Sequence, residues 1–396
     1  MVVLALIAIQ KMLPGRDGDL HSYFYVASRL MLDGTWSELG PQALAYTALP
    51  VALVPIMILA MLPYLVAAVL WSALSVAFLA LAAPLAAGRT AEAIGARGDA
   101  AAVPVIASLG VAFIAASVVV DLNLGQMDLL ATLLLVLALH WFRIRPVACG
   151  LCLAAASTMK FVGLLYLPWL LLRRAWWQAG ALVVGFIGMW AVMIPFLGIE
   201  VSSAGLQRAL GVSGRLDFAR ESSISTGESI SAAAGLQRIV EPISPSLVSW
   251  AVPGLLVVVG LIGIGLYRAY RLPLVLRRVG ASRALDMVEF ACIPALAVAV
   301  ASTSHARHGC MALMATCVLA ALLVSPGRAA LRVCMTIVAA GLVMAEARVP
   351  DALGLGQAWQ HMGGFGWTML MLVFAVVWGV LARLRSCDQQ AMRSSI

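Results

Sequence analysis

An all-α polytopic membrane protein is the fold class this sequence predicts, and three observations predict it. Of 396 residues, 63% are hydrophobic and only 11% charged, under half the ~25% of a soluble domain, and the mean hydropathy is +1.00. The apolar residues gather in repeated runs near the ~20 needed to cross a bilayer. Strand-like alternation is absent, which argues against a transmembrane β-barrel.

The runs fall at about 1–13, 44–87, 101–120, 127–142, 147–158, 161–172, 178–197, 250–270, 288–303, 309–324, 330–346 and 366–383. Read as one domain over 1–396, they predict a bundle of about 11 spans with re-entrant or interfacial helices beside them. Residues 1–13 are short and lack the basic start and cleavage site of a signal peptide, so either the first helix is short or the true start lies upstream. Residues 14–63 form a first extracytoplasmic loop with interfacial helices: Pro50, Pro55 and Pro63 break up 44–62 and leave 64–87 as the span. Segments 147–158 and 161–172 each measure only about 18 Å at the helical rise, so they cross only where the bilayer thins or flanking residues extend them. Residues 198–249 form a long extracytoplasmic loop. Its stretch ISTGESISAAAGLQRI reads as an ordered cap, a Ser/Thr/Gly-rich start followed by an amphipathic turn.

The net charge of +8 raises the question of nucleic acid, and its distribution answers it. With the first loop outside, 16 of the 26 basic residues fall in the cytoplasmic loops beside five acids, while the other face keeps 10 basic and 13 acidic residues. That is the positive-inside pattern, so the charge records topology and implies no nucleic-acid partner. The same count argues for a break between 147–158 and 161–172, since a single span there inverts every later loop. The seven cysteines lie in apolar segments or on the inner side, which argues against a disulfide framework. Cys149 and Cys152 form a CxxC without a second pair nearby, so small apolar residues in a helix describe them better than a metal site.

Sorted by side, the polar residues collect outside: Asp19 and Tyr23, DLNLGQMD at 121–128, Lys160, the long loop, SHARH at 304–308, and 347–365. Attack of a hydroxyl on an activated sugar needs a base, which a carboxylate supplies. A phosphate leaving group gains charge and needs cations or hydrogen-bond donors, which Lys160, Arg238, Arg307 and the histidines offer. Each residue also has a plainer reading. Asp19 can cap a helix, as Asn123 and Gln126 can cap the one starting near 127. Lys160 can snorkel to the interface, and the histidines can simply pack. Arg208, Arg215 and Arg220 suit lipid headgroups. Three classes of function stay open: an enzyme using a lipid-linked sugar, a transporter or lipid flippase, and a scaffold. Transporters favour paired repeats and midplane charges, and a scaffold has no reason to gather an acid, histidines and a lysine on one face.

The acid-led opening DLHSYFYVASRLMLDG, the segment YTALPVALVPIMILAMLP and Leu70–Trp71 resemble glycosyltransferase family 87. So do NLGQMD, RIRPVACGLCLAAASTMKF ending near Lys160, GESISAAAGLQRI with Ser229 and Arg238, and SHARH, in that order. The resemblance implies a GT-C-type helix bundle in a bacterial inner membrane. It implies a polyprenyl-phosphate-mannose donor, a glycolipid or glycan acceptor, inversion at the sugar carbon, and no metal or other cofactor. It places catalytic roles on Asp19, as base, and on His308. Donor or acceptor binding falls on Tyr23, Asn123, Gln126, Lys160, Ser229, Arg238, His305 and Arg307. The sequence departs from the family pattern at Leu20, at Tyr46 with Pro50 four residues on, at Asp128 and Glu228 where Asn is usual, and at His305 and Arg307. Those departures leave another lipid-linked sugar, arabinose or glucose, as the rival donor.

Overall fold

The computed structural model describes residues 19–34, 50–95, 101–196, 198–199, 202–203, 206, 229–266, 268–269, 279–301, 304–325, 329–346 and 349–393. Among these there is helix and no strand, as a bilayer demands: without water, backbone N–H and C=O groups are satisfied only within a helix or a closed barrel.

In chain order, a π-helical turn at Leu20–Tyr25 leads into α1 (Val26–Leu32), and a 3₁₀ turn at Pro50–Leu53 leads into α2 (Val54–Ala60). There follow α3 (Tyr64–Ala93), α4 (Ala102–Ala112), α5 (Ala115–Leu124), α6 (Asp128–Trp141), α7 (Pro146–Lys160), α8 (Tyr166–Leu172) and α9 (Trp176–Ala191). Past the long loop come α10 (Ala232–Val240), α11 (Val248–Leu266), α12 (Val279–Val300), α13 (Leu313–Val324), α14 (Ala329–Glu346), α15 (Val349–Ala352), α16 (Gly356–His361) and α17 (Gly364–Arg393). Within the described residues, the expected apolar runs from 50 onward thus reappear as helices, while the run at 1–13 lies outside them. The break before Tyr64 falls at Pro63, and α7 stops at Lys160, as the short segments required.

The expected count of about 11 spans is not reproduced by helix length. Among the described residues, four helices are long and apolar enough to cross a membrane: Tyr64–Ala93, Trp176–Phe196, Arg307–Val324 and Gly364–Ser386. A fifth is counted if α4 and α5, bent by 64° at their junction, act as one. The remaining apolar runs fold as helices of 10–17 residues, or roughly 15–26 Å at the helical rise, short of a ~30 Å hydrocarbon core. Sequence reading finds apolarity well and length poorly, because the turns that cut these helices carry apolar residues too. On the longer helices large apolar side chains face outward, among them Leu65, Leu81, Val184, Ile187 and Leu261, a pattern costly in water and natural against lipid. The protein is membrane-embedded.

The chain divides into two compact units, Met1–Ala82 with Ser117–Arg215, and Ala83–Ala116 with Leu216–Ile396. In the first, α7 packs between α6 and α9. Its contact with α9 depends on small residues. A Cβ on Gly150 would strike the Gln178 carbonyl oxygen, Ala181 Cβ at 2.5 Å and Leu182 N at 2.8 Å, and one on Gly185 would meet Ala154 Cβ at 3.0 Å. Backbone thus lies against backbone, the geometry that holds helices together where no hydrophobic force separates them from lipid. In the second unit, α12, α13 and α14 pack on α17, and α4 packs on α13. There Thr316 Oγ1 donates to the Gly110 carbonyl at 2.9 Å.

Gly150→Val puts a branched side chain into the α7–α9 backbone contact. We expect a loss on the order of 1–3 kcal/mol, read as a lower melting temperature of the detergent-purified protein. Gly180→Ala, on α9 with nothing within 4 Å of the new methyl, is expected to leave melting unchanged or slightly raised.

Candidate active site

In the first unit the NLGQMD stretch is a helix end and a sharp turn. Helix α5 stops at Leu124 because Gly125 adopts φ +67°, a left-handed conformation cheap only for glycine. The turn is closed by Gly125 N–H on the Leu122 carbonyl at 3.3 Å and Gln126 N–H on the Asp121 carbonyl at 3.2 Å. Trp71, fully buried, donates its indole N–H to the Gly125 carbonyl at 3.0 Å. Glycine is required here for a second reason: a Cβ at 125 would stand 2.5 Å from Leu20 Cβ. This close approach brings Asp19 to Gln126, whose Nε2 donates to Asp19 Oδ2. Asp19 is 9% exposed and Gln126 1%. The two residues lie 107 positions apart in the chain.

Two residues beyond Gln126, Asp128 opens α6. Its Oδ1 lies 3.1 Å from Lys160 Nζ, at the last residue of α7, with the carboxylate fully buried and the ammonium nearly so. An ion pair of this kind persists only where it is well paired, since each ion alone costs several kcal/mol to desolvate. The turn after Lys160 is fixed as well. Phe161 adopts φ 51°, a conformation that costs a non-glycine residue about 1 kcal/mol or more. Its ring packs among Val51, Leu164, Phe186 and Trp190, which offsets that cost. Around the first loop, Tyr25 donates its hydroxyl to the Leu62 carbonyl at 2.7 Å, and His21 and Tyr25 both meet Tyr64 edge-on. Tyr23 lies in the Leu20–Tyr25 turn, with its side chain outside the described set. Asn123 is half-buried near the end of α5.

The second unit gathers the later motifs. Ser231 caps α10 by accepting the Ala234 N–H at 3.0 Å. Ser229 Oγ accepts the Ser304 N–H at 3.1 Å, and Ile230 N–H donates to the Ser304 carbonyl at 2.9 Å. Those two bonds join the GESIS stretch to SHARH. Arg238, 4% exposed, donates Nε to the His361 carbonyl at 2.7 Å and Nη2 to the carbonyls of Gln360 at 2.8 Å and Ser229 at 2.9 Å. Burial pulls its pKa below the usual arginine value, as desolvation of a cation dictates. These three bonds go to backbone carbonyls and fasten the 360–361 segment to Ser229. Gly235, Gly363 and Gly366 permit the contact, because a Cβ on any of them would strike backbone of the facing segment. SHARH forms a 3₁₀ turn, Ala306–Ala312, closed reciprocally: the His305 side chain accepts from the His308 N–H, and His308 Nδ1 accepts from the His305 N–H at 3.3 Å. Arg307 lies half-buried between the two histidines.

The sequence thus placed Asp19 and Gln126, and Ser229 and SHARH, in motifs that the fold unites. It missed Asp128 as the partner of Lys160, the aromatic setting of His21, and the Gly363–Gly366 seat. The signals for these were an acid two residues past NLGQ and a GGFG stretch in an otherwise apolar helix start. Glu228, Arg208, Arg215 and Arg220 lie outside the described residues. Among the described residues there is no group of three or more His, Cys, Asp or Glu that could hold a metal ion.

This geometry defines a helical membrane protein that carries ionisable groups inside its apolar body, the mark of one that acts on a substrate. A model of glycosyltransferase family 87 matches residues 46–288, well over half of the chain. The chain belongs to glycosyltransferase family 87 and is a glycosyltransferase. The matched span includes Asn123, Gln126, Lys160, Ser229 and Arg238, while Asp19 and SHARH flank it. No curated protein and no solved structure matches the chain.

The buried ion pair makes a stability prediction. Asp128→Asn leaves Lys160 charged without its counter-ion and should destabilise the purified protein by about 3–5 kcal/mol. Asp128→Asn combined with Lys160→Met is expected to regain most of that loss, as measured by thermal unfolding in detergent.

Proposed function

We propose that this glycosyltransferase moves mannose from a polyprenyl phosphate to a hydroxyl of a glycolipid or glycan, with inversion, at the extracytoplasmic face of a bacterial inner membrane. The observation that carries the reading is the Asp19–Gln126 pair. A carboxylate sits largely buried on the first loop and is oriented by a primary amide on a turn locked by Gly125 and Trp71. In an apolar setting such a group is a candidate base held in one orientation.

The chemistry then runs as a single displacement. Asp19 takes the proton of the acceptor hydroxyl as its oxygen bonds to the anomeric carbon. The bond from that carbon to the phosphate oxygen breaks, and its electron pair leaves with the phosphate. His308 does not compete for the base's role. Its Nδ1 accepts the His305 N–H, which leaves Nε2 as the ring nitrogen that carries a proton. A ring N–H suits an oxygen that gains charge, and the catalytic role of His308 rests on the family resemblance alone.

The test is sugar transfer from polyprenyl-phosphate-mannose in membranes bearing wild type or Asp19→Asn. Asn keeps the shape and removes the base, so turnover is expected to fall at least ~100-fold in a folded protein. Equal turnover in both would sink the assignment of Asp19. Wild-type transfer from a lipid-linked arabinose or glucose, with none from mannose, would move the donor and leave the base in place.

A further inference from the structure

Gln126 carries more than its bond to Asp19. A carboxylate accepts and does not donate, so the amide nitrogen must face Asp19 and Oε1 turns away from it. That Oε1 is buried and has no hydrogen-bond partner among the described residues. Leaving a buried acceptor unsatisfied costs about 1–3 kcal/mol, and native structures hold few such groups. Trp71 Nε1, which reaches the same turn, is spent on the Gly125 carbonyl. Nor can the side chain easily relax. The backbone before it is fixed by the Gly125 turn, and Met127 after it is 2% exposed. A buried acceptor beside a carboxylate that finds no donor among the described residues calls for one beyond them.

We propose that Gln126 Oε1 accepts a hydrogen bond from a second hydroxyl of the acceptor, the neighbour of the hydroxyl that Asp19 deprotonates. The acceptor class is therefore a vicinal diol on a ring, as in a pyranoside. The inference rests on the reading of Asp19 as base. In that pose the two adjacent hydroxyls divide the work: one loses its proton to the carboxylate, and the other is held by the amide oxygen and fixes which ring oxygen attacks. Gln126 thus contacts substrate and selects regiochemistry, while its nitrogen keeps the base in line.

The experiment compares octyl mannoside and octyl glucoside with their monodeoxy analogues as acceptors, in wild type and in Gln126→Leu. In wild type, removing one hydroxyl abolishes transfer because it is the nucleophile. Removing its neighbour should lower kcat/KM about 10–100-fold. In Gln126→Leu overall turnover drops, and removing that neighbour should cost nothing further. If the leucine variant does not fold, the wild-type deoxy series decides alone. Deoxy acceptors used as well as their parents, with transfer still lost in Asp19→Asn, would overturn this proposal and leave the base standing. Equal transfer by Asp19→Asn would overturn both. Failure to use any of these diols also counts against it, since each presents the vicinal pair.

Discussion

Everything in this structure depends on one constraint: in an apolar body, each polar group must find a partner inside the chain or in a ligand. The constraint forces the described backbone into helices. It also decides what ionisable side chains can do. Asp128 is tolerated at the buried start of α6 because Lys160 meets it at 3.1 Å. Arg238 is tolerated because three backbone carbonyls receive it. Asp19 is tolerated because an amide is turned toward it. The polar network is therefore more than a decoration on a hydrophobic scaffold. It reports which segments the fold must hold together, since a half-satisfied network is worse than an apolar one.

Small residues make those partnerships reachable. Lipid-facing helices gain little by hiding apolar surface from one another, so close packing has to bind them. Gly125 lets Leu20 approach, and Asp19 is carried in with it. Gly235, Gly363 and Gly366 let α10 lie against the start of α17 and the turn before it, which puts Arg238 within reach of the carbonyls of residues 360 and 361. In both units, a glycine admitting one backbone to another is what lets a distant polar side chain find its acceptor. The polar contacts and the glycine seats are one design seen from two sides.

Much of this was legible in the sequence, for physical reasons. Apolar runs announce helices in lipid as directly as any pattern can, and Pro63 and the Lys160–Phe161 junction divided them where expected. Asp19, the NLGQ turn and SHARH stood out because polar residues between apolar runs are expensive unless used. What stayed hidden was pairing across the chain. Nothing local links Asp128 to Lys160, or Arg238 to the carbonyls of residues 360 and 361, since backbone acceptors leave no mark in the side-chain alphabet. Span count was hidden too: α6 (Asp128–Trp141) and α7 (Pro146–Lys160) fill about the lengths their apolar runs gave, yet both stay short of a ~30 Å hydrocarbon core.

The departure at position 128 shows how a substitution that weakens a motif match can strengthen a physical reading. An asparagine there would leave Lys160 as an uncompensated cation near the NLGQ turn, available to an anion as a point charge. With aspartate, the Lys160 charge is met at 3.1 Å by a buried carboxylate, and the pair together carries none. A buried pair of this kind adds an oriented dipole beside the NLGQ turn and no net charge, the cheaper way to hold a cation in a medium that penalises unpaired ions.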